Sequence, residues 1–254
     1  MSPTAQGSSV LIFGATGGIG SALARKLSAS GHRLTLAARD SNGLDLLARE
    51  LGADASAVEA TDSQVVERCL VETTQKTGRL DGVVNCVGSL FLKPAHATQD
   101  ADWAAVIAAN LTSSFYILRS TVRLMMRSGG GSIVLMASAV AQRGMINHEA
   151  IAAAKAGVVG LALSAAATYA RYNIRVNCVA PGLTRTPLTA SLTQNELTLK
   201  ASVALHPLGR IGEPVEVASA IRWFLSPEQS WVTGQVLAVD GGLSSLQSRM
   251  ASNS

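Results

Sequence analysis

The run Val10–Phe13 meets the turn Gly14-Ala-Thr16-Gly-Gly18-Ile19-Gly20, and an alanine- and leucine-bearing segment continues to Ser30. An apolar run, a glycine-rich turn and a helical stretch, in that order, read as strand, tight turn and helix. Glycine serves two purposes in such a turn. It allows backbone angles that a side chain blocks, and it lets main-chain N–H groups come within hydrogen-bonding distance of a ligand. Those donors sit at a helix N-terminus, whose partial positive charge favours phosphate. Taken alone, a strand-to-helix turn without a ligand explains the glycines equally well, because the spacing Gly14-x3-Gly18-x-Gly20 is not G-x-G-x-x-G.

The rest of the chain repeats the alternation. Further strands are expected over 33–38, 55–59, 82–88, 132–138, 174–180 and 236–239. Helices are expected over 44–51, from 62 or 63 to about 77, 149–171, 193–204 and 214–225, with two more within 99–127 meeting near Asn110. Seven strands alternating with helices imply an α/β fold. Parallel neighbours need long crossovers, so the sheet is expected to be doubly wound, parallel and of Rossmann type, with helices on both faces. The whole of 1–254 is read as one domain, with 1–8 and 244–254 as loose ends. Ligands of such folds bind beyond the C-terminal strand ends. Arg39, Asn85, Ser138 and the Pro181–Gly182 pair all fall there, so they are expected to converge on one rim.

Composition closes off other classes. The net charge is only +4, spread along the 254 residues rather than clustered, which argues against nucleic acid as a partner. Cys69, Cys86 and Cys178 are odd in number and far apart, so buried thiols in a reducing compartment are expected rather than disulfides or a metal site. No uninterrupted apolar run approaches a membrane span, and Met1–Ser9 lacks a signal-peptide pattern. A soluble, cytoplasmic chain is the expectation.

Over about residues 8–242 the chain resembles the short-chain dehydrogenase/reductase family. Gly14-x3-Gly18-Ile19-Gly20 matches the family's TGxxxGIG, with Phe13 in place of the threonine. Asn85-Cys-Val-Gly88 resembles NNAG with two of four positions kept, and Asn110 matches the family's structural asparagine. Ser138 matches the catalytic serine, Lys155 the lysine of YxxxK, Pro181-Gly182-x3-Thr186 the PGxxxT stretch, and Gly234–Gly242 the last strand and turn. The resemblance implies hydride transfer between a nicotinamide cofactor and a carbonyl or alcohol. It also implies helix-mediated homodimers or homotetramers, with which the small residues of 150–170 agree.

One position departs from that pattern. Four residues before Lys155 the family places a tyrosine, and here stands Ile151; no tyrosine lies between Tyr116 and Tyr169. In the family the ammonium favours the phenolate of that tyrosine, and the serine donates to the substrate oxygen. Ile151 has no proton to give. His148 lies one helical turn before it and is a candidate proton relay, the alternative being that it merely occupies the helix start. Glu149 is better explained by the helix dipole. Lys155 has a second role by resemblance, holding the nicotinamide ribose hydroxyls, which does not depend on the tyrosine.

Charge speaks to the choice of cofactor. At the end of the second strand an acidic residue suits the 2′-hydroxyl of NAD and an arginine the 2′-phosphate of NADP. Here Ala38 is followed by Arg39, whose fork-shaped guanidinium fits phosphate, so NADP(H) is expected. Asp40 is the alternative partner for Arg39. Glu59 falls where the family's adenine-contacting aspartate would be. Residues 140–147 and 183–207 are expected to wall the substrate pocket, offering Met145, Ile146, Leu188 and Leu192 beside Arg143, Thr189 and His206. Two readings remain: an NADP(H)-dependent oxidoreductase with nonstandard proton donation, and an NADP-binding pseudoenzyme with a regulatory or structural role.

Overall fold

The computed structural model describes residues 7–247. The glycine-rich stretch forms strand β1 (Ser9–Phe13) and helix α1 (Gly18–Ser28). Next come β2 (Arg33–Ala38), α2 (Ser41–Leu51), β3 (Asp54–Ala57), α3 (Ser63–Thr77) and β4 (Gly82–Asn85). Then follow α4 (Asp100–Ile107), α5 (Ser113–Met125), β5 (Gly131–Met136), α6 (Glu149–Tyr169) and β6 (Ile174–Pro181). The chain closes with α7 (Ala190–Thr193), α8 (Glu196–Leu205), α9 (Pro214–Leu225) and β7 (Val236–Val239).

The strands form one sheet in the order β3-β2-β1-β4-β5-β6-β7, with every pairing parallel. The chain starts at β1, builds outward to β3, crosses back through α3 and continues from β4. The order therefore reverses between β1 and β4, opening a crevice at their C-terminal ends. Alternate side chains of each strand serve opposite faces. Leu11 and Phe13 join Val66 and Leu70 of α3, Ile117 and Val122 of α5, and Val158 and Ala162 of α6 in one core. Val10 and Ile12 join Leu23 and Leu27 of α1, Leu44 of α2, and Ile221 and Phe224 of α9 in the other.

Several expected boundaries are corrected. The fourth strand ends at Asn85 rather than 88, because the Asn85 carboxamide oxygen accepts from Val87 N at 2.9 Å and turns the chain out of the ladder. Helices α4 and α5 do meet near Asn110, as expected. A π-helical turn over 108–112 joins them, with the Asn110 side chain donating back to the Val106 carbonyl at 2.9 Å. Such widened turns are frequent at functional sites.

The expected loose ends at 1–6 and 248–254 lie outside the described residues. Of the remainder, Gly7 N bonds the Gly31 carbonyl and Ser244 N bonds the Asp240 carboxylate, so those positions are tied to the fold. Among the described residues one stretch, Glu149–Tyr172, is by length and composition long and apolar enough to cross a membrane, with mean hydropathy 1.7, although Lys155 interrupts its apolar run. Alanines together with Ile151, Val158, Val159, Leu161 and Leu163 supply that hydropathy. The helix buries Val158, Ala162, Ala165 and Ala166 against the sheet.

Candidate active site

The crevice between β1 and β4 is lined first by the glycine turn. Gly14 has φ +74°, and a Cβ there would stand 2.8 Å from the Cys86 carbonyl carbon. At Gly20 a Cβ would meet the Gly14 carbonyl oxygen at 2.2 Å, so only a bare backbone lets α1 leave the strand this tightly. Helix α1 begins with Gly17 as N-cap, no side-chain cap and no acid in its first turn. Its first N–H groups therefore face the crevice side without an intrahelical acceptor, which suits an anion. A Cβ at Gly18 would lie 2.7 Å from Thr186 Cγ2, so the loop after β6 closes over the same turn, with Thr16 and Ile19 half-buried beside it.

At the end of β2, Arg39 projects into solvent and pairs with Glu59 Oε2 at 3.7 Å. Its expected alternative partner is corrected: Asp40 accepts from Gly43 N at 3.1 Å and caps α2. Glu59 Oε1 is held by Thr61 through its N–H at 3.0 Å and its hydroxyl at 2.7 Å. Burial raises the Glu59 carboxyl pKa, but those two bonds and the Arg39 charge outweigh it and hold the group below the usual carboxylate range.

Beyond β4 a buried polar chain fixes the floor of the site. Asn85 Nδ2 donates to Ser114 Oγ, which donates to the Asn110 carbonyl, both at 2.9 Å. Asn110 Oδ1 accepts from Ser89 N at 3.1 Å, and Nδ2 donates to Ser89 Oγ at 2.9 Å. Asn110 thus stitches the loop after Gly88 to the α4–α5 junction, with every side-chain bond spent inside the protein.

Helix α6 brings the remaining groups. Ile151 and Lys155, four residues apart, lie on its buried face. Ile151 is 5% exposed and packs with Val106, Ala150 and Ala154. Lys155 Nζ donates to the Met136 carbonyl at 2.9 Å, and a Cβ on Gly88 would stand 3.5 Å from it. Burial pushes the Lys155 pKa down to about 8, against the opposite pull of Cys178 and Cys86. The same burial pushes both thiols up to about 12.

Ser138, His148 and Ile151 line one cavity of about 270 Å³ together with Pro181 and Gly182. Ser138 Oγ accepts from Val140 N at 3.4 Å, which leaves its O–H to donate elsewhere. His148 is the N-cap residue of α6, and its Nδ1 lies 2.6 Å from the Ile146 carbonyl. A carbonyl only accepts, so Nδ1 carries the proton in that contact. The arrangement offers a hydroxyl donor and an imidazole in one cavity, with the aliphatic Ile151 in its lining and Lys155 outside it.

The expected walls need revision. Met145, Thr189, Leu192 and His206 do line the cavity. Ile146 is 87% exposed and Leu188 54% exposed, so neither is a wall. Arg143 turns its Nη1 to the Leu243 carbonyl instead. The sequence reading missed Leu90 and Leu92, which line the cavity from the loop after Gly88, and Leu243. The apolar Leu90-Phe-Leu92 in a loop was the available signal. Among the described residues, no three His, Cys, Asp or Glu side chains gather as a metal site.

Residues 14–244 match the family described as enoyl-(acyl carrier protein) reductase. A 3-oxoacyl-[acyl-carrier-protein] reductase of Thermotoga maritima is 36% identical over 243 residues, covering 94% of this chain and 98% of its own. Among solved structures, a short-chain type dehydrogenase/reductase from Mycobacterium ulcerans superposes with TM-score 0.92 at 31% identity, covering 95% of this chain and 91% of that one. An actinorhodin polyketide ketoreductase solved with NADPH gives TM-score 0.90 at 30% identity over 96% of this chain and all of its own. With the glycine turn, the reversed strand order and the serine–lysine pair in place, the chain belongs to the short-chain dehydrogenase/reductase family of oxidoreductases.

Proposed function

We propose that this chain is a single-domain NADP(H)-dependent oxidoreductase acting on a carbonyl or alcohol, with His148 rather than a tyrosine handling the proton. One observation carries the reading: Ser138 and His148 line a single cavity with Ile151, and Lys155 lies one turn further along the same helix. The residues present fit the cofactor. The uncapped start of α1, with Gly14, Thr16, Gly18, Ile19 and Gly20, would hold the pyrophosphate, and Arg39 the 2′-phosphate. Asn85, Gly88, Pro181, Gly182 and Thr186 would line the nicotinamide half, with Lys155 on the ribose hydroxyls. When bound, NADPH would supply the hydride for the carbonyl carbon, and His148 would supply the proton for the oxygen, so that the C=O π bond would become C–H and O–H, with NADP⁺ and neutral imidazole left.

Each side chain then has a defined task. Ser138 donates its O–H to the carbonyl oxygen, favouring the charge that develops there. His148 would give the proton from Nε2 for reduction and accept it there for oxidation. Asn110 is a positioning residue that holds the loop after Gly88. The small residues Ala153, Ala156 and Gly160 on the outer face of α6 leave room for close helix contact, which agrees with a homodimer or homotetramer. Homology to the ketoreductase solved with NADPH supports the nicotinamide cofactor.

The second reading, an NADP-binding pseudoenzyme, draws on Ile151 itself. An apolar group fills the place of the missing acid, and general acid–base help is worth about 10²–10⁴-fold in rate. The two readings separate in one experiment: NADPH oxidation across a panel of carbonyl compounds by the native protein, His148→Ala and Ile151→Tyr. On the enzyme reading, the native protein turns over and His148→Ala loses about 10²–10⁴-fold in kcat with unchanged NADPH affinity. Unaltered turnover in His148→Ala sinks the relay. Turnover that appears only in Ile151→Tyr assigns the native chain to the pseudoenzyme class.

A further inference from the structure

The cavity beside Ser138 and His148 has walls of one chemical kind. Leu90, Leu92, Met145, Ile151, Leu192 and Leu205 are among its apolar walls, and no lysine, arginine, aspartate or glutamate is among the described residues lining it. Three charged side chains from neighbouring segments are committed elsewhere. Arg143 donates to the Leu243 carbonyl, Asp240 accepts from Gly242 N and Ser244 N, and Lys155 is bonded to the Met136 carbonyl across Ile151.

The second histidine of the cavity supplies no cation either. His206 is 4% exposed at the end of α8. Its Nδ1 lies 2.7 Å from the Ser202 carbonyl, and its Nε2 accepts from Leu183 N at 3.2 Å. One ring nitrogen must donate and the other must accept, which is the pattern of neutral imidazole. A protonated His206 would turn a second N–H toward the Leu183 N–H. Of the ionisable groups in the lining, that leaves His148, whose proton is the one the reaction uses. The remaining polar groups, such as Thr198 and Ser202 on one face of α8, are uncharged.

We propose that the substrate is an uncharged, largely aliphatic ketone, or the matching secondary alcohol, and that a charged group on the enclosed part of a compound excludes it. This rests on the oxidoreductase reading above, whose redox step it leaves unchanged. Apolar walls reward burial of hydrocarbon. A carboxylate or phosphate drawn into the same space loses its hydration and meets no counter-charge beyond the His148 proton, which reduction consumes, so it ends as a buried unpaired anion, the arrangement proteins avoid. The cavity volume, about 270 Å³, lies just below the range of about 300–1,000 Å³ usual for small-molecule sites.

The test uses matched compounds on one skeleton at pH 7: 4-methylcyclohexanone, methyl 4-oxocyclohexanecarboxylate and the free 4-oxocyclohexanecarboxylate. Turnover with NADPH and, independently, thermal stabilisation of the NADP⁺-loaded protein are read for each. The two neutral ketones are expected to exceed the carboxylate by about 100-fold in kcat/KM, the scale of an unpaired buried charge. Leu192→Arg adds a cation to the wall and is expected to move that ratio at least about tenfold toward the carboxylate, with NADPH affinity unchanged. Equal or better use of the carboxylate by the native protein overturns the proposal. Saturable NADPH binding with no response to either neutral ketone overturns it too, while leaving the cofactor assignment standing. Absence of any NADPH binding removes the oxidoreductase reading and the substrate class together.

Discussion

Replacing Lys155 by methionine should make the protein more stable and, on the reading above, less able to hold its cofactor. Free lysine titrates at 10.5 and buried Lys155 at about 8. Each unit between folded and unfolded values is worth about 1.36 kcal/mol, so keeping this ammonium charged inside the fold at pH 7 costs about 3 kcal/mol. The sign follows from proton counts. Between pH 8 and 10.5 the unfolded chain binds more protons at this residue than the native one, so its contribution to stability rises with pH. Below pH 8 both states are charged and the full cost is present; above 10.5 both are neutral and it is gone.

Urea unfolding of the native protein and Lys155→Met at pH 7, 8, 9 and 10 isolates the effect, because the other titrating groups are common to both. The variant is expected to lead by about 3 kcal/mol at pH 7, less about 1 kcal/mol for the lost bond to the Met136 carbonyl, which does not depend on pH. That lead should shrink steadily above pH 8. A difference that stays flat from pH 7 to 10 would refute the reasoning, because it would mean that burial does not hold Lys155 below its usual range. NADP(H) titration of the same variant should show weakened binding despite the firmer fold, the trade-off expected of a strained functional group.

Three other outcomes are accessible. Gly20→Ala forces its Cβ to within 2.2 Å of the Gly14 carbonyl oxygen, so the turn must open; thermal unfolding should register a loss of about 3 kcal/mol or more, and cofactor titration little or no binding. Arg39→Ala should lower the preference for NADP over NAD by about tenfold or more in Kd, read by fluorescence titration with both nucleotides, and an unchanged ratio would remove Arg39 from the 2′-phosphate. Asn110→Leu leaves Ser89 N and Ser89 Oγ without their partner at a fully buried position; urea unfolding should show a loss of about 2–4 kcal/mol and kcat should fall with it.

Local signals carried much of the architecture. Helix α9 begins and ends where Pro214 and the run to Leu225 imply, because the reciprocal bonds between Glu213 and Glu216 reinforce a proline already suited to the first turn. Strand β7 likewise occupies 236–239, as its short apolar run requires. The rim residues were legible for a topological reason: in a parallel sheet every strand delivers its last residue to the same edge, so Arg39, Asn85, Ser138 and Pro181 needed only to be counted to their strand ends. What escaped depends on side chains far apart in sequence. That Asn85 ends its strand, that Asp40 turns to its own helix while Glu59 takes Arg39, and that Arg143 faces Leu243 are all choices between partners. Composition offers those partners without ranking them.

The isoleucine at 151 is the sharpest case of a residue read easily and interpreted with difficulty. The family resemblance, not spacing by itself, marks the position where a phenol would be expected; the fold then shows what surrounds Ile151 and Lys155. In the family pattern a buried lysine lowers the pKa of the tyrosine one turn before it, and here that beneficiary is absent. Lys155 nevertheless remains buried, with the Met136 carbonyl as its one hydrogen-bond acceptor among the described residues, although an ammonium carries three donors. The cost of about 3 kcal/mol is unrelieved within the protein itself. Ribose hydroxyls are neutral acceptors of the kind its spare N–H groups lack, so binding NADP(H) should pull the Lys155 pKa back up from about 8 and offset part of that cost. The lysine therefore argues for the cofactor more strongly than for a given proton donor, and on the oxidoreductase reading proposed above the proton is left to the His148 imidazole.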